Sequence, residues 1–271
     1  MRAFRVLIFG DVVGALGREG LVKALSTLRE KYSPDFIVAN VENLAHGAGV
    51  TLKTLNELTM AGVDALTGGN HSWDNPLGAP LFEDAEWGNK LAVPTNYGGA
   101  KGGKNAILVE KNGVRILIAN VMGQLFTHPN TSSPFTALDR ILTTHTADKP
   151  NVILVDIHGE ATSEKEAFGH YADGNVTAVV GTHTHVPTND HKILPGGTAY
   201  VTDLGRCGAY DSVLGFEKTS AVRRYLAQSS GNYDLPKKGA CEVNGIALTV
   251  DLDTGLAAQV DRIREIVDIS A

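Results

Sequence analysis

Two histidines stand two residues apart in the stretch Val180-Gly-Thr-His-Thr-His-Val-Pro187, between an apolar run and a proline. Neutral imidazoles are common ligands of transition-metal ions. Residues two apart in an extended segment point to the same side, so His183 and His185 could each face a metal ion. The pair alone is equally typical of an ordinary polar loop, so other ligand-type residues must decide.

Four other apolar runs, each predicted to be a strand, lead directly into carboxylate, amide or imidazole side chains. These residues are Asp11, Glu42, Asn43, Asn70, His71 and His158. Ligands bind in the crevice at the carboxyl ends of the strands in open α/β sheets. We therefore expect five strand ends in all to meet in one crevice.

Each of these residues, taken singly, has an ordinary structural explanation. Asp11 could cap the helix that follows it, and Glu42 could be a solvated loop acid. Asn70-His71 follows two glycines in good turn composition, and His158 could be a buried histidine bonded to the backbone. The coincidence at five strand ends favours a metal site over this set of separate explanations.

The ligand types indicate which ions such a site would hold. Carboxylates, amide oxygens and imidazoles without a thiolate suit manganese, iron or zinc. So many ligands exceed the needs of one ion. They suit two ions that share a bridging carboxylate and a hydroxide, the arrangement used for displacement at phosphorus. Asp11 and Glu42 with one hydroxide would leave the site net positive, as binding of an anionic phosphoester requires.

His71 directly follows the predicted ligand Asn70, so it can stand beside the ions without binding them. An imidazole in that place could protonate a departing alkoxide. Asp74 could orient the His71 ring, with an exposed loop acid as the equal alternative.

The rest of the chain alternates strand-like and helix-like segments. Strands are predicted at 5–9, 35–41, 63–69, 151–157 and 176–181, with hairpins at 106–121, turning at Asn112-Gly113, and at 245–260, turning at 253–255. Helices are predicted at 18–32, 51–62, 134–145 and 162–174. Leu21, Leu25 and Leu28 form the apolar stripe of the first helix; Leu52, Leu55 and Leu58 form that of the second, between an N-cap at Thr51 and a stop at Gly62.

This order of elements predicts a mixed sheet, or two sheets packed face to face with helices outside. The stretch 98–103 is glycine-rich, but the same pattern continues on both sides of it, so one domain over residues 1–271 is expected.

Composition narrows the class of protein further. The formal net charge of -6 argues against a protein that holds long nucleic acid. No apolar run is long enough to span a membrane, and the N-terminal run is too short for a signal peptide. Cys207 and Cys241 make no disulfide framework, so a soluble cytoplasmic protein is expected. The sequence leaves the oligomeric state open, a homo-oligomer included.

The segments "GD", "EN", "GGNH", "DIHGEATSEKEAFG" and "GTHTHVPT" together resemble the calcineurin-like metallophosphoesterases. With "GGTAY" and "YDSVLG", nearly the whole chain resembles the narrower, bacterial YmdB-like family of cytoplasmic phosphodiesterases. The broad superfamily usually has a histidine where this chain has Val13, and an aspartate where it has Glu42. Both departures are similar to the narrow family's own pattern.

The resemblance implies a four-layer αββα sandwich, with two mixed sheets and flanking helices, and a di-iron or di-manganese centre, with zinc as the alternative. It implies one ion held by Asp11, Glu42, Asn43 and His185 and the other by Glu42, Asn70, His158 and His183. His71 would be the proton donor. The implied activity is the hydrolysis of small phosphodiesters, including 2',3'-cyclic nucleotides. His46, Arg206-Cys207 and Ala209 look atypical of the narrow family, and we expect them at the substrate mouth.

Two alternatives remain at this stage. The same metal centre could serve a phosphomonoesterase or nucleotidase, because selectivity among esters depends on the rim of the site. It could also serve a regulatory ligand sensor with low turnover. The expected partner is a small phosphodiester substrate, with no stable nucleic-acid complex and no membrane.

Overall fold

The computed structural model describes residues 2–227 and 234–269. In chain order, its strands are β1 (Ala3–Val12), β2 (Phe36–Asn40), β3 (Ala65–Thr67), β4 (Leu91–Ala92), β5 (Ala106–Lys111), β6 (Val114–Met122), β7 (Val152–His158), β8 (Ala178–Thr182), β9 (Lys192–Ile193), β10 (Ala199–Val201), β11 (Arg206–Ala209), β12 (Gly239–Asp251) and β13 (Leu256–Ile269). The helices are α1 (Gly14–Tyr32), α2 (Leu52–Met60), α3 (Pro134–Thr144), α4 (Thr162–Ala172) and α5 (Lys218–Ala227), with short 3₁₀ turns at Ala79–Phe82, Trp87–Asn89 and Thr146–Asp148.

The strands form two mixed sheets. The first has seven strands in the order β13-β12-β11-β1-β2-β3-β4, in which β11, β1, β2, β3 and β4 run parallel and β12 is antiparallel to its neighbours. The second has six strands in the order β5-β6-β7-β8-β10-β9, in which β6, β7, β8 and β10 run parallel. The parallel strands of each sheet therefore present their carboxyl ends at one edge.

Side-chain alternation along β1 shows how the layers pack. Val6 and Ile8 are buried in a core shared with residues of the second sheet, such as Ile118. Leu7 and Phe9 point to the other face, into a separate core with α1 and α2. A third core lies between the outer face of the second sheet and helices α3 and α4. These three cores confirm the αββα sandwich, because each one separates two adjacent layers.

Most of the predicted elements are confirmed. Leu21, Leu25 and Leu28 are fully buried along α1, and the Thr51 side chain caps α2 by accepting from the backbone N–H of Thr54. Leu52 is an exception: its side chain is half exposed, so the buried stripe of α2 contains only Leu55 and Leu58 of the three predicted leucines. Leu52 lies in the first turn, which projects beyond the face that covers the sheet.

Both predicted hairpins are present. β5 and β6 pair antiparallel around Asn112 and Gly113, whose φ values of 54° and 75° suit a type I′ turn. β12 and β13 pair along nearly their whole length and turn at 252–255. These long antiparallel strands extend the sheet beyond the parallel strands that carry the site.

Gly10 marks a close crossing of two chain segments directly before Asp11. A Cβ on Gly10 would lie only 1.8 Å from the carbonyl oxygen of Gly205. The same oxygen accepts a hydrogen bond from the backbone N–H of Asp11. A side chain at Gly10 would thus displace the segment that fixes the backbone of Asp11.

We expect Gly10→Ala to lower the free energy of unfolding by about 1–3 kcal/mol or more, since the backbone must move to relieve the overlap. Gly208→Ala is the matched control in neighbouring β11, where the nearest atom to a new Cβ is 3.4 Å away. The control should change stability by less than about 1 kcal/mol. Urea denaturation of both variants measures the difference, and equal midpoints would contradict the prediction.

Candidate metal centre

All eight predicted site residues lie together at the carboxyl ends of strands from both sheets. β1, β2 and β3 lead into them from the first sheet, and β7 and β8 from the second. Asp11, Glu42, Asn43, His158 and His185 are buried, while Asn70, His71 and His183 are partly exposed. The site therefore has a buried floor and an open side. Asp11 lies inside β1 and does not cap α1, whose N-cap is Val13.

The first ligand group surrounds His158. Its Nε2 atom lies 3.1 Å from Glu42 Oε2, 3.1 Å from Asn70 Oδ1 and 3.1 Å from His183 Nδ1. Carboxylate and amide oxygens accept hydrogen bonds, and an unprotonated imidazole nitrogen also carries a lone pair. Atoms of this kind repel one another unless a proton or a cation lies between them.

The second ligand group contains Asp11, Glu42 and His185, whose ligand atoms lie within 4.8 Å of one another. His185 Nε2 lies 3.9 Å from Asp11 Oδ1 and 3.0 Å from Asn43 Oδ1. Glu42 belongs to both groups, so its carboxylate occupies the place of a bridging ligand. The two histidines of the "GTHTH" stretch fall into different groups.

Two further observations show that these residues suit metal ions. Asp11 Oδ1 is buried and has no hydrogen-bond partner among the residues that the structure describes. A buried carboxylate oxygen without a partner is costly, and a cation would satisfy it. Gly69 keeps space free on the other side, because a Cβ there would lie 2.2 Å from Glu42 Oε2 and 2.4 Å from His158 Nε2.

Burial and mutual charge shift the pKa values of these groups in the metal-free chain. Burial alone would raise the pKa of Glu42, but the His158 imidazolium holds it well below the usual range. Burial would lower the pKa of His158, yet the Glu42 carboxylate raises it to about 9. Burial and the charge of His158 lower the pKa of His183 to about 3. Burial raises the pKa of Asp11 to about 6, partly offset by His185 and His158.

The backbone around the paired histidines differs from the expected extended segment. His183 has a φ of 98° and His185 a φ of 63°. Both values lie in the left-handed region that residues with a Cβ rarely adopt, at a cost of about 1–3 kcal/mol each. The extended geometry was therefore wrong. The left-handed turn directs the two rings to different ligand groups.

Hydrogen bonds behind the two buried rings fix which nitrogen faces the site. The Thr182 hydroxyl donates to Asp156 Oδ1 at 2.6 Å and therefore accepts from His158 Nδ1 at 2.9 Å. His185 Nδ1 lies 2.8 Å from the carbonyl oxygen of Leu214 and donates to it. In both neutral rings, Nε2 is then left with its lone pair toward the ligand group.

His71 stands beside the two groups without belonging to either. Its backbone N–H donates to Glu42 Oε2 at 3.0 Å, and its Nδ1 lies 2.6 Å from Asp74 Oδ2. The ring is 43% exposed, so it borders solvent. The predicted contact between Asp74 and His71 is present.

A cleft of 840 Å³ opens over the site. His46, His71 and Glu160 lie at it together with ligand residues, and Val186, Leu214 and Phe216 give it an apolar wall. His46 thus lies where expected.

Arg206, Cys207 and Ala209 do not line the mouth, and that expectation was wrong. All three are buried in β11 because this strand is enclosed between β1 and β12, beneath the site.

Several supporting residues were missed from sequence. Asp156 is buried and accepts from Thr182, Thr67 and Asn40, and Lys165 is buried behind the histidine loop. Asp156 and Lys165 could have been noticed, since each places a charge at a position that strand or helix periodicity assigns to the interior.

The four-layer fold and the two ligand groups that share one carboxylate define the chain as a metallophosphoesterase-type protein. The YmdB-like protein family matches residues 7–263, and the chain belongs to this family.

The chain is 38% identical over 259 residues to the 2',3'-cyclic-nucleotide 2'-phosphodiesterase of Bacillus subtilis (strain 168), covering 96% of both chains. A crystal structure described as a novel phosphatase from Mycoplasma pneumoniae is similar with a TM-score of 0.90 and 34% identity, covering 99% of this chain and 95% of that one. That of a hypothetical protein from Thermus thermophilus is similar with a TM-score of 0.87 and 36% identity, covering 97% and 99%.

Within residues 2–227 and 234–269, no helix combines the length and the apolar character needed to cross a bilayer.

Metal uptake by the metal-free protein should release about one proton per chain at pH 7.5, because ligation needs a neutral imidazole. His158, with its pKa raised to about 9, is mostly protonated at that pH. The release should vanish as the pH rises above 9. Isothermal titration calorimetry in buffers of different ionisation enthalpy measures the proton count. Binding without proton release at pH 7.5 would show that His158 is not displaced from its pairing with Glu42.

Proposed function

We propose that the chain is a binuclear-metal phosphodiesterase that hydrolyses small phosphodiesters, with 2',3'-cyclic nucleotides as the first candidates. The observation that carries the proposal is the pair of ligand groups joined by Glu42 at the floor of an open cleft. The similarity to the Bacillus subtilis phosphodiesterase over nearly the whole chain supports the substrate class.

The ions are proposed to be iron or manganese, with zinc as the alternative, since these ions accept oxygen and imidazole ligands. Asp11, Glu42, Asn43 and His185 would hold one, and Glu42, Asn70, His158 and His183 the other. When bound, two such ions lower the pKa of a water between them and supply positive charge to the phosphate oxygens.

His71 is proposed as the proton donor to the leaving oxygen. Its Nδ1 contacts Asp74, which leaves Nε2 as the nitrogen that can reach a substrate. Its backbone bond to Glu42 sets the ring at a fixed place beside the shared carboxylate. A donor held in this way transfers its proton without first having to be positioned.

Two features of the cleft favour cyclic nucleotide diesters over monoesters. The apolar wall, formed by Val186, Leu214 and Phe216, offers a surface for a nucleobase beside the metal groups. Glu160 is half exposed at the cleft, 3.3 Å from His183 Nε2. Its carboxylate repels a dianionic monoester more strongly than a monoanionic diester. A phosphomonoesterase or nucleotidase on the same centre and a low-turnover ligand sensor are therefore the less favoured functions.

The cellular setting is proposed on weaker grounds. Cys207 and Cys241 are both buried thiols without a disulfide, which suits a reducing cytoplasm. The net charge of -6 supports a small anionic substrate held by metal ions rather than a stable nucleic-acid complex. A homo-oligomer is compatible with this proposal.

A substrate panel tests the proposed function. We expect hydrolysis of 2',3'-cyclic AMP with Mn²⁺ or Fe²⁺ and none with chelator, weaker hydrolysis of ribose 2',3'-cyclic phosphate, which lacks the base, and little hydrolysis of p-nitrophenyl phosphate. Preference for the monoester would favour the phosphatase function. Bound metal with no turnover of any substrate would favour the sensor.

His71→Ala should keep both metals and lose about 10²–10⁴-fold in turnover of 2',3'-cyclic AMP, because the alkoxide leaves unprotonated. The loss should be much smaller for bis-p-nitrophenyl phosphate, whose leaving group needs no proton. His46→Ala, at the same cleft, is the matched control and should keep most activity. Metal analysis and kinetics on both substrates check this, and an equal loss on both diesters would contradict the proton-donor role.

A further inference from the structure

The loop that carries the two histidines stores backbone strain. His183 and His185 both have positive φ values, and this loop, residues 182–185, directly follows β8. Strained backbone of this kind persists only when surrounding contacts over-determine it. The contacts under the loop should therefore decide whether the two rings stay in their separate ligand groups.

Lys165 of α4 holds the first end of the loop. Its ammonium group is buried and donates to the carbonyl oxygen of Thr182 at 2.7 Å and to Asp203 Oδ2 at 2.7 Å. The same Asp203 oxygen accepts from the backbone N–H of Thr184 at 3.2 Å. Lys165 and Asp203 thereby fix the peptide groups on both sides of His183.

Arg206 of β11 holds the other end. Its Nη1 donates to the carbonyl oxygen of His185 at 3.1 Å, and its Nη2 donates to Ser212 Oγ at 3.2 Å. Ser212 Oγ in turn accepts from the backbone N–H of Gly215 at 3.0 Å. Leu214, the intervening residue, accepts the hydrogen bond from the His185 ring. Arg206 therefore reaches His185 through its backbone and through its ring partner.

Stability alone does not account for a buried guanidinium at this place. The nearest oxygen of Glu242 is 3.9 Å from Arg206, while Arg264 lies at 2.8 Å from the same carboxylate. Arg206 Nε has no hydrogen-bond partner among the described residues. A buried charge without a close counter-charge costs more than a well-packed apolar side chain of similar size. The bonds of Arg206 to the histidine loop give the charge a different use.

We propose that Lys165 and Arg206 are positioning residues, each for one of the two ligand groups. Lys165 sets His183 for the group around His158, and Arg206 sets His185 for the group around Asp11. This inference rests on the proposed two-metal centre. It adds that the two ions can be lost separately through residues that touch neither ion.

The first test compares Arg206→Met with Arg264→Met. Both variants remove a cation near Glu242, but only Arg206 contacts the loop. After equilibration at limiting free Mn²⁺, metal analysis should find two ions per chain in the wild type and in Arg264→Met. Arg206→Met should retain one, because losing such an outer contact weakens a metal site by about 10–100-fold. Arg206→Lys should recover part of the lost affinity.

Combined variants identify the ion that is lost. Arg206→Met added to His158→Ala should leave no tightly bound ion, whereas Arg206→Met added to Asp11→Ala should bind as much metal as Asp11→Ala alone. The opposite pattern is expected for Lys165→Met made together with Asp203→Asn, which avoids leaving a buried carboxylate unpaired. Circular dichroism and urea denaturation establish that each variant is folded. If Arg206→Met does not fold, Arg206→Lys with His158→Ala and with Asp11→Ala gives the same comparison at reduced amplitude.

Three results would overturn the proposal. One is wild-type affinity for both ions in folded Arg206→Met or, where only Arg206→Lys folds, in that variant. Another is loss of both ions to the same extent, and the third is the same loss in Arg264→Met. If the wild-type protein itself binds fewer than two ions, the proposed metal centre fails, and this is seen before any variant is made.

Discussion

The buried carboxylate of Glu42 is the interaction on which the site depends. It lies 3.1 Å from His158 and accepts from the backbone of His71, and it belongs to both ligand groups. A buried negative charge needs compensation, and in the metal-free chain the His158 imidazolium supplies it. A cation can take the place of that proton without any other charge moving. The same pairing thus keeps the metal-free site stable and prepares it for metal.

The four-layer fold explains how such a charged group can be assembled. Each sheet alone brings only part of the ligand set to its carboxyl edge, and the inter-sheet core aligns the two edges. Asp156 connects them directly, because it extends from β7 and accepts from Thr67 and Asn40 of the opposite sheet. The position of His158 relative to Glu42 is consequently set by packing across the sandwich, which is more rigid than a loop.

The sequence predicts the ligand residues better than it predicts their support. Strand ends at Asp11, Glu42 and His158 follow from apolar runs that stop at a polar residue, a local pattern. The left-handed backbone at His183 depends instead on Lys165 and Arg206, which come from other elements. Arg206 was expected at the mouth of the site, whereas β11, the strand that carries it, is enclosed on both sides. Contacts of long sequence separation leave no periodic trace in a single sequence.

The left-handed turn also bears on why the two histidines are so close in sequence. An extended strand would direct both rings to the same side, where they would compete for one position beside Glu42. Positive φ at both residues turns His183 toward His158 and His185 toward Asn43. One short loop then serves both ligand groups, and its strain is balanced by bonds from buried cations beneath it. A substitution that relaxed the strain would be expected to stabilise the chain and to weaken the site, since only the strained form separates the two rings.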